Sequence, residues 1–279
     1  MHAAPLTGSY PVRVGLPEAL YPRGRIGISP DEVTVAELLR TAGYATAAVG
    51  KWHLGDHPEF LPTNHGFDTY FGIPYSNDMS PNPANNPREV ANVQYPPIPV
   101  IRDTTIVERG PDQRTLTRRY TEAVVDFIEH QADRPFFVYL AHSFPHVPLR
   151  AADRFVGTTE RGLYGDVISE IDGSLGEILA TLERLELDRR TTVAFTSDNG
   201  PWLIFGNHGG SAGPFREGKG TTFEGGHRVP AIVRWPGRIP AGTVSDALVT
   251  DMDFLPTSAR LAGVALPTNR CVRPRASAS

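Results

Sequence analysis

Ala45-Thr46-Ala47-Ala48-Val49-Gly50-Lys51-Trp52-His53-Leu54-Gly55 is the stretch from which the fold of this chain can be read. Ala45 to Val49 is a short apolar run and predicts a buried strand. Lys51 and His53 follow at once, flanking Trp52 between two glycines. A strand that hands polar side chains to a loop is a common source of ligand groups in open α/β sheets.

Outward from this point the same pattern recurs. Asp31 to Ala42 predicts a helix, with Val33, Leu38 and Leu39 apolar, an acidic first turn and Gly43 as its stop. Thr115 to Gln131 predicts a second helix, and Pro135 to Ala141 a buried strand that delivers His142 and His146. Leu163 to Leu185 is the clearest helix, since Leu163, Val167, Ile171, Leu175, Ile178 and Leu182 line one face. Thr191 to Thr196 predicts a strand that delivers Asp198 and Asn199. Ala231 to Trp235 and Ala247 to Thr250 read as further strands, and Asp253 to Ala262 as a last helix capped by Asp251 or Asp253. Tyr75 to Gly110, rich in Pro and Asn, reads as a long surface excursion or lid. Strands alternating with helices predict an α/β fold, with a mainly parallel central sheet covered by helices on both faces.

Composition narrows the function. Lys and Arg number 27 against 31 Asp and Glu, a net charge of −4, so no nucleic-acid-binding surface is expected. No stretch approaches the roughly 18 apolar residues of a membrane span. Met1 to Val14 has no apolar core of a signal peptide, and the compartment is left open. Cys271 is the single cysteine, so no internal disulfide forms. Residues 267–279 turn basic, then small and polar, and are expected to be disordered, leaving 1–266 as one domain.

Three blocks carry the candidate chemistry: Gly50 to Gly55, Thr196-Ser197-Asp198-Asn199-Gly200, and Gly218-Lys219-Gly220-Thr221-Thr222-Phe223-Glu224-Gly225-Gly226-His227-Arg228-Val229-Pro230. Taken singly, each has an ordinary reading. Asp198-Asn199-Gly200 is a turn or a pair of hard oxygen ligands for a cation. Lys51 and His53, and likewise Lys219, are loop residues or anion ligands. His146, in His142-Ser143-Phe144-Pro145-His146-Val147-Pro148, is structural or a proton carrier.

Together, in this order, the blocks resemble the sulfatase family of the alkaline phosphatase superfamily, from about Ala3 to Pro267. The resemblance implies an alkaline phosphatase-like fold and hydrolysis of sulfate esters. It implies that Lys51 and Lys219 bind sulfate, that His53 contacts the nucleophile and that His146 protonates the leaving oxygen. Ser76, in Gly72-Ile73-Pro74-Tyr75-Ser76-Asn77-Asp78, matches a position whose hydroxyl reaches the sulfate. Asp198 and Asn199 become ligands of Ca²⁺, or of Mg²⁺ in its place. Arg228 and Glu224 are expected to brace the Lys219 loop by ion pairing. The implied partner is a small-molecule or carbohydrate sulfate ester. Family members are commonly periplasmic, secreted or lysosomal.

The resemblance also sets two expectations about what is missing. Sulfatases carry Cys-X-Pro-Ser-Arg, whose cysteine becomes a formylglycine, just before a segment like Leu6 to Pro11. Here Met1-His2-Ala3-Ala4-Pro5 stands in that region. The chain is thus expected to lack the first strand with its paired aspartates, the nucleophile, and a small C-terminal domain. Cys271-Val272-Arg273 does not substitute, because Arg273 occupies the proline position. An inactive fragment of a hydrolase, or a non-catalytic binder of sulfated ligands, are the two resulting readings.

Overall fold

The strand expected from Ala45 runs through Lys51 (β1, Ala45–Lys51) in a computed structural model of the chain, which describes residues 2–81 and 95–267. It is buried along its whole length, between β2 (Thr69–Ile73) and β5 (Phe136–Ala141), and parallel to both. Beyond β2 the sheet continues through an antiparallel hairpin, β3 (Pro99–Arg102) and β4 (Thr105–Arg109), in the order β4-β3-β2-β1-β5. The sheet is therefore mixed, parallel at its centre and antiparallel at one side. The hairpin lies inside the stretch read as an excursion, and the rest of that stretch, 82–94, falls outside the described residues.

Side chains alternate across β1 and β2, as a period of two requires. Val49, Phe71 and Ile73 pack with α3 (Leu116–His130) and α4 (Gly162–Arg184). Ala48 and Tyr70 pack on the other face with α1 (Ala3–Thr7), α2 (Val35–Thr41) and α6 (Phe254–Ala262). Both faces are covered. No helix among the described residues is long and apolar enough to cross a membrane.

Some boundaries move for local reasons. The helix expected from Asp31 (α2) starts at Val35, because Thr34 caps it. Thr34 Oγ1 accepts from the Glu37 amide at 3.2 Å, and the Glu37 carboxylate accepts from the Thr34 amide at 2.7 Å. The Thr34 hydroxyl also donates to the His65 carbonyl at 2.8 Å. Thr34→Ala should cost about 1–2 kcal/mol in urea denaturation, with Thr34→Ser recovering most of it. A loss below a few tenths would show that the cap is idle. The last helix is preceded by a turn in which Asp253 accepts from the Thr250 amide at 2.7 Å. In α4 the buried face includes Asp166, Glu170 and Ser174, which an apolar pattern passes over. Asp166 accepts from the Gly157 and Thr159 amides, which fastens the preceding loop to the helix.

Three strand expectations need correction. β5 is half-buried, since no described strand pairs with its edge away from β1. The strand after α4 (β6, Val193–Thr196) does not join the parallel sheet. It pairs antiparallel with β7 (Ala231–Arg234) in a separate two-stranded sheet. Phe195 and Ile232 remain 38% and 62% exposed there, so the apolar character that marked them as buried is not used. Ala247–Thr250 is coil, with Val249 64% exposed. Residues 268–279, including Cys271, lie outside the described residues.

Candidate active site

Gly50 sets the geometry of the first arm. It pairs with Gly72 on one side and Ala141 on the other. Its φ is +103°, and a Cβ there would stand 2.0 Å from the Ala141 carbonyl oxygen. Only glycine permits so close an approach in that backbone conformation. Trp52 then turns inward: it is 1% exposed, and its indole N–H donates to the Phe60 carbonyl at 2.7 Å. The ladder continues from the Trp52 amide to Ile73 and from the His53 amide to Pro74. With Trp52 as anchor, Lys51 and His53 are fixed at the C-terminal end of β1. Lys51 is buried, and His53 Nε2 donates to the Leu20 carbonyl at 3.0 Å.

The second arm follows β2 and β5. Ser76 is buried, with its hydroxyl 3.5 Å from His146 Nδ1. His146 Nδ1 also lies 2.6 Å from the Val147 carbonyl. A carbonyl only accepts, so the Nδ1 proton points there and Nε2 of the neutral ring carries a lone pair. His142 turns elsewhere, its Nε2 3.3 Å from the Ser174 hydroxyl on α4.

The third arm joins the loop after β6 to the glycine-rich loop. The Gly200 amide donates to Gly226 at 3.0 Å, and the Lys219 amide to Pro201 at 2.8 Å. A Cβ on Gly200 would stand 1.8 Å from the Gly225 carbonyl oxygen, so this seam too requires glycine. Lys219 Nζ sits 4.5 Å above the Trp202 ring, and the His146 ring is 5.5 Å from the same indole. Trp202 therefore ties the second arm to the third. Arg228 and Glu224 do pair, at 3.2 Å, in α5 (Glu224–His227) and its cap. Both are 65% exposed, so the pair contributes little. The Arg228 guanidinium over Phe215, at 4.7 Å, is the further brace.

Charge gathers where the arms meet. Burial lowers the Lys51 pKa, opposed by Asp198 and Asp78. Lys219 is lowered by burial and by Lys51, again opposed by Asp198 and Asp78. Two ammonium groups in one desolvated place favour an anion between them.

Residues 1–264 match the model of the family described as Sulfatase. The chain is 46% identical to N-acetylgalactosamine-6-sulfatase of Canis lupus familiaris and 43% to arylsulfatase A of Bos taurus, over 97% and 95% of its length. The chain belongs to the sulfatase family. It spans about half the length of the curated relatives it matches, 54% in each case. Among solved structures it is similar to the PsFucS1 sulfatase from Pseudoalteromonas sp., with a TM-score of 0.83 and 30% identity, over 96% of this chain and 58% of that one. It is also similar to Ps i-CgsB in complex with k-i-k-neocarrahexaose, with a TM-score of 0.81 and 30% identity, over 96% of this chain and 62% of that one.

In this member of the sulfatase family Lys51 acts electrostatically on His53, His146 and Lys219, Asp198 acts on both lysines, and Ser76 lies beside His146. Sequence reasoning passed over three further residues. Asp78, with Oδ1 buried and unpartnered, acts on both lysines. Trp202 carries the Lys219 and His146 contacts, and Asp251 feels Asp198. Asp78 belongs to the stretch quoted for Ser76, the one signal that pointed at it. His65 is fully buried and stacked on Trp52.

Asp198 and Asn199 suit a hard cation in part. Asn199 Nδ2 donates to Asp198 Oδ1 at 2.9 Å, while Asn199 Oδ1 is buried with no partner. An orphaned carboxamide oxygen beside a carboxylate is the donor chemistry of Ca²⁺ or Mg²⁺. Among the described residues no group of three or more His, Cys, Asp or Glu is placed to hold a metal.

The histidines give the fold a pH dependence. Burial first, and then Lys51, hold His53 and His146 down to about 3 and about 2. An unfolded chain protonates them near pH ~6.5, whereas the folded state does not. Stability is thus complete above pH ~6.5 and is lost as pH falls, by ~1.4 kcal/mol per pH unit for each such histidine. The urea midpoint should drop steadily from pH 7 to pH 5, and His53→Gln should flatten part of that slope. A midpoint unchanged over the interval would contradict the burial of these rings.

Proposed function

We propose that this chain forms the sulfate-binding part of a sulfuric ester hydrolase acting on a sulfated carbohydrate. The observation that carries the reading is the electrostatic convergence of the buried Lys51 and the half-buried Lys219 on one place with His146. Two ammonium groups hold the non-bridging oxygens of a sulfate ester and offset the charge that grows on them during S–O cleavage. The ester charge in turn offsets Lys51 and Lys219, which raises the pKa of His146. His146 then takes a proton at Nε2, the nitrogen left free by the Val147 carbonyl, and delivers it to the departing alcohol oxygen. His53 and Ser76 orient the sulfate and whatever attacks it. Asp198 and Asn199 would hold a Ca²⁺ or Mg²⁺, which would supply Lewis-acid chemistry there. These residues provide fewer than the roughly 6–8 oxygens that Ca²⁺ takes.

A formylglycine does not fit the residues present. The sole cysteine is Cys271, with Arg273 where the motif has proline, so no step is derived through that group. We therefore read the 279 residues as competent to bind sulfate and not to turn it over by themselves. The two lysines suit equally the second reading, a non-catalytic binder of sulfated ligands. The carbohydrate class comes from the relatives, which include N-acetylgalactosamine-6-sulfatase and a structure in complex with k-i-k-neocarrahexaose.

Calorimetric titration with inorganic sulfate tests the site. Lys51→Ala and Lys219→Ala should each weaken binding roughly tenfold or more, the scale of losing a charged hydrogen-bond partner. Binding unchanged in both variants would remove the lysines from the site.

A further inference from the structure

His2 is a buried ionisable side chain to which the mechanism above gives no task. It stands just before α1 and is 6% exposed. Its Nδ1 lies 3.0 Å from the Tyr139 hydroxyl on β5. Its ring meets that of His53 edge-on, with centroids 6.0 Å apart. Its other nitrogen, Nε2, is buried without a hydrogen-bond partner among the described residues. Lys51, His53 and Lys219 all act on it electrostatically, so it lies in the field of the same two ammonium groups.

A Tyr139 hydroxyl that donates to Nδ1 leaves the imidazole proton on Nε2, and this is the tautomer the proposal takes. The result is a buried N–H with no acceptor among the described residues, a rare arrangement that calls for an explanation. Burial first, and then the positive charges nearby, Lys51 foremost, keep the ring neutral. A neutral N–H among cations adds a donor without adding repulsion, which suits an anion that the cations have already drawn in.

We propose that His2 Nε2–H donates a hydrogen bond to the tetrahedral oxyanion held by Lys51 and Lys219. Tyr139 is then a positioning residue, holding the ring through Nδ1. The assignment rests on the reading of this place as a sulfate site, and the oxyanion is either the sulfate of an ester or free sulfate.

Calorimetry on the 279-residue chain with two probes, inorganic sulfate and methyl sulfate, tests it. His2→Phe should weaken sulfate binding about tenfold, as expected for a lost hydrogen bond to a charged group. His2→Gln keeps an N–H and should stay within about threefold. Equal losses for both probes place His2 on oxygens shared by ester and free sulfate, and a loss for sulfate alone places it on the oxygen that becomes the ester link. If His2→Phe binds both probes as the unaltered chain does while Lys219→Ala has lost them, the His2 assignment falls and the sulfate site stands. If Lys219→Ala also binds normally, the site reading falls with it. Should His2→Phe fail to fold, ¹⁵N NMR of the histidine-labelled unaltered chain decides. Sulfate should shift the His2 Nε2 resonance, and an unmoved resonance overturns the proposal.

Discussion

The 279-residue chain should release no 4-nitrophenol from 4-nitrophenyl sulfate above background. Lysines and a histidine can hold and polarise the ester, but covalent hydrolysis needs an activated nucleophile, and these 279 residues contain no Cys-X-Pro-Ser-Arg motif to supply it. A version extended at its N-terminus by a segment bearing Asp-Asp and Cys-X-Pro-Ser-Arg, made in a host that forms formylglycine, should turn the ester over. In that extended enzyme Lys219→Ala should lower kcat/KM by roughly 10² or more, the scale of deleting one preorganised oxyanion partner. Turnover by the 279-residue chain, abolished by Lys51→Ala, would sink the missing-nucleophile argument and return attention to Cys271.

Gly50→Val should cost most of the stability of the fold. The Cβ would fall 2.0 Å from the Ala141 carbonyl oxygen, at a φ of +103°. The obstructing atom is backbone in the adjacent strand, so relief requires parting β1 from β5. Strain of this kind costs ~1–3 kcal/mol before the clash is counted, against a total near 5–15 kcal/mol for a whole domain. Gly43→Ala is the matched control. Its φ is +83°, yet nothing lies within 4 Å of the new Cβ. That variant should lose only ~1–2 kcal/mol, the cost of a left-handed conformation alone. Thermal unfolding followed by circular dichroism separates the two. A Gly50→Val protein that melts within a few degrees of the unaltered chain would show that the strand edges yield far more easily than their spacing implies.

Much of the architecture was legible in the sequence. β1, β5 and helices α3 and α4 follow from apolar runs and a period of 3.6, both local properties of the chain. The ligand loops were legible because Gly50-Lys51-Trp52-His53 and Asp198-Asn199-Gly200 each place polar groups directly after a strand. Thr69–Ile73 was passed over because five residues including a glycine carry too little pattern. The β3–β4 hairpin was hidden in a stretch rich in Pro and Asn. β6 was expected in the central sheet because an apolar strand does not record which neighbour its backbone will pair with.

The sequence by itself determined the family, the strand-to-loop origin of Lys51, His146 and Asp198, and the glycine-rich loop that carries Lys219. Tertiary structure decided the rest. It placed Trp202 between Lys219 and His146, set Asp78 against both lysines, and brought His2 beside His53 from 51 positions away. These partners are joined by burial and by electrostatics that act through space. Neither depends on separation along the chain, so no local pattern of residues announces them.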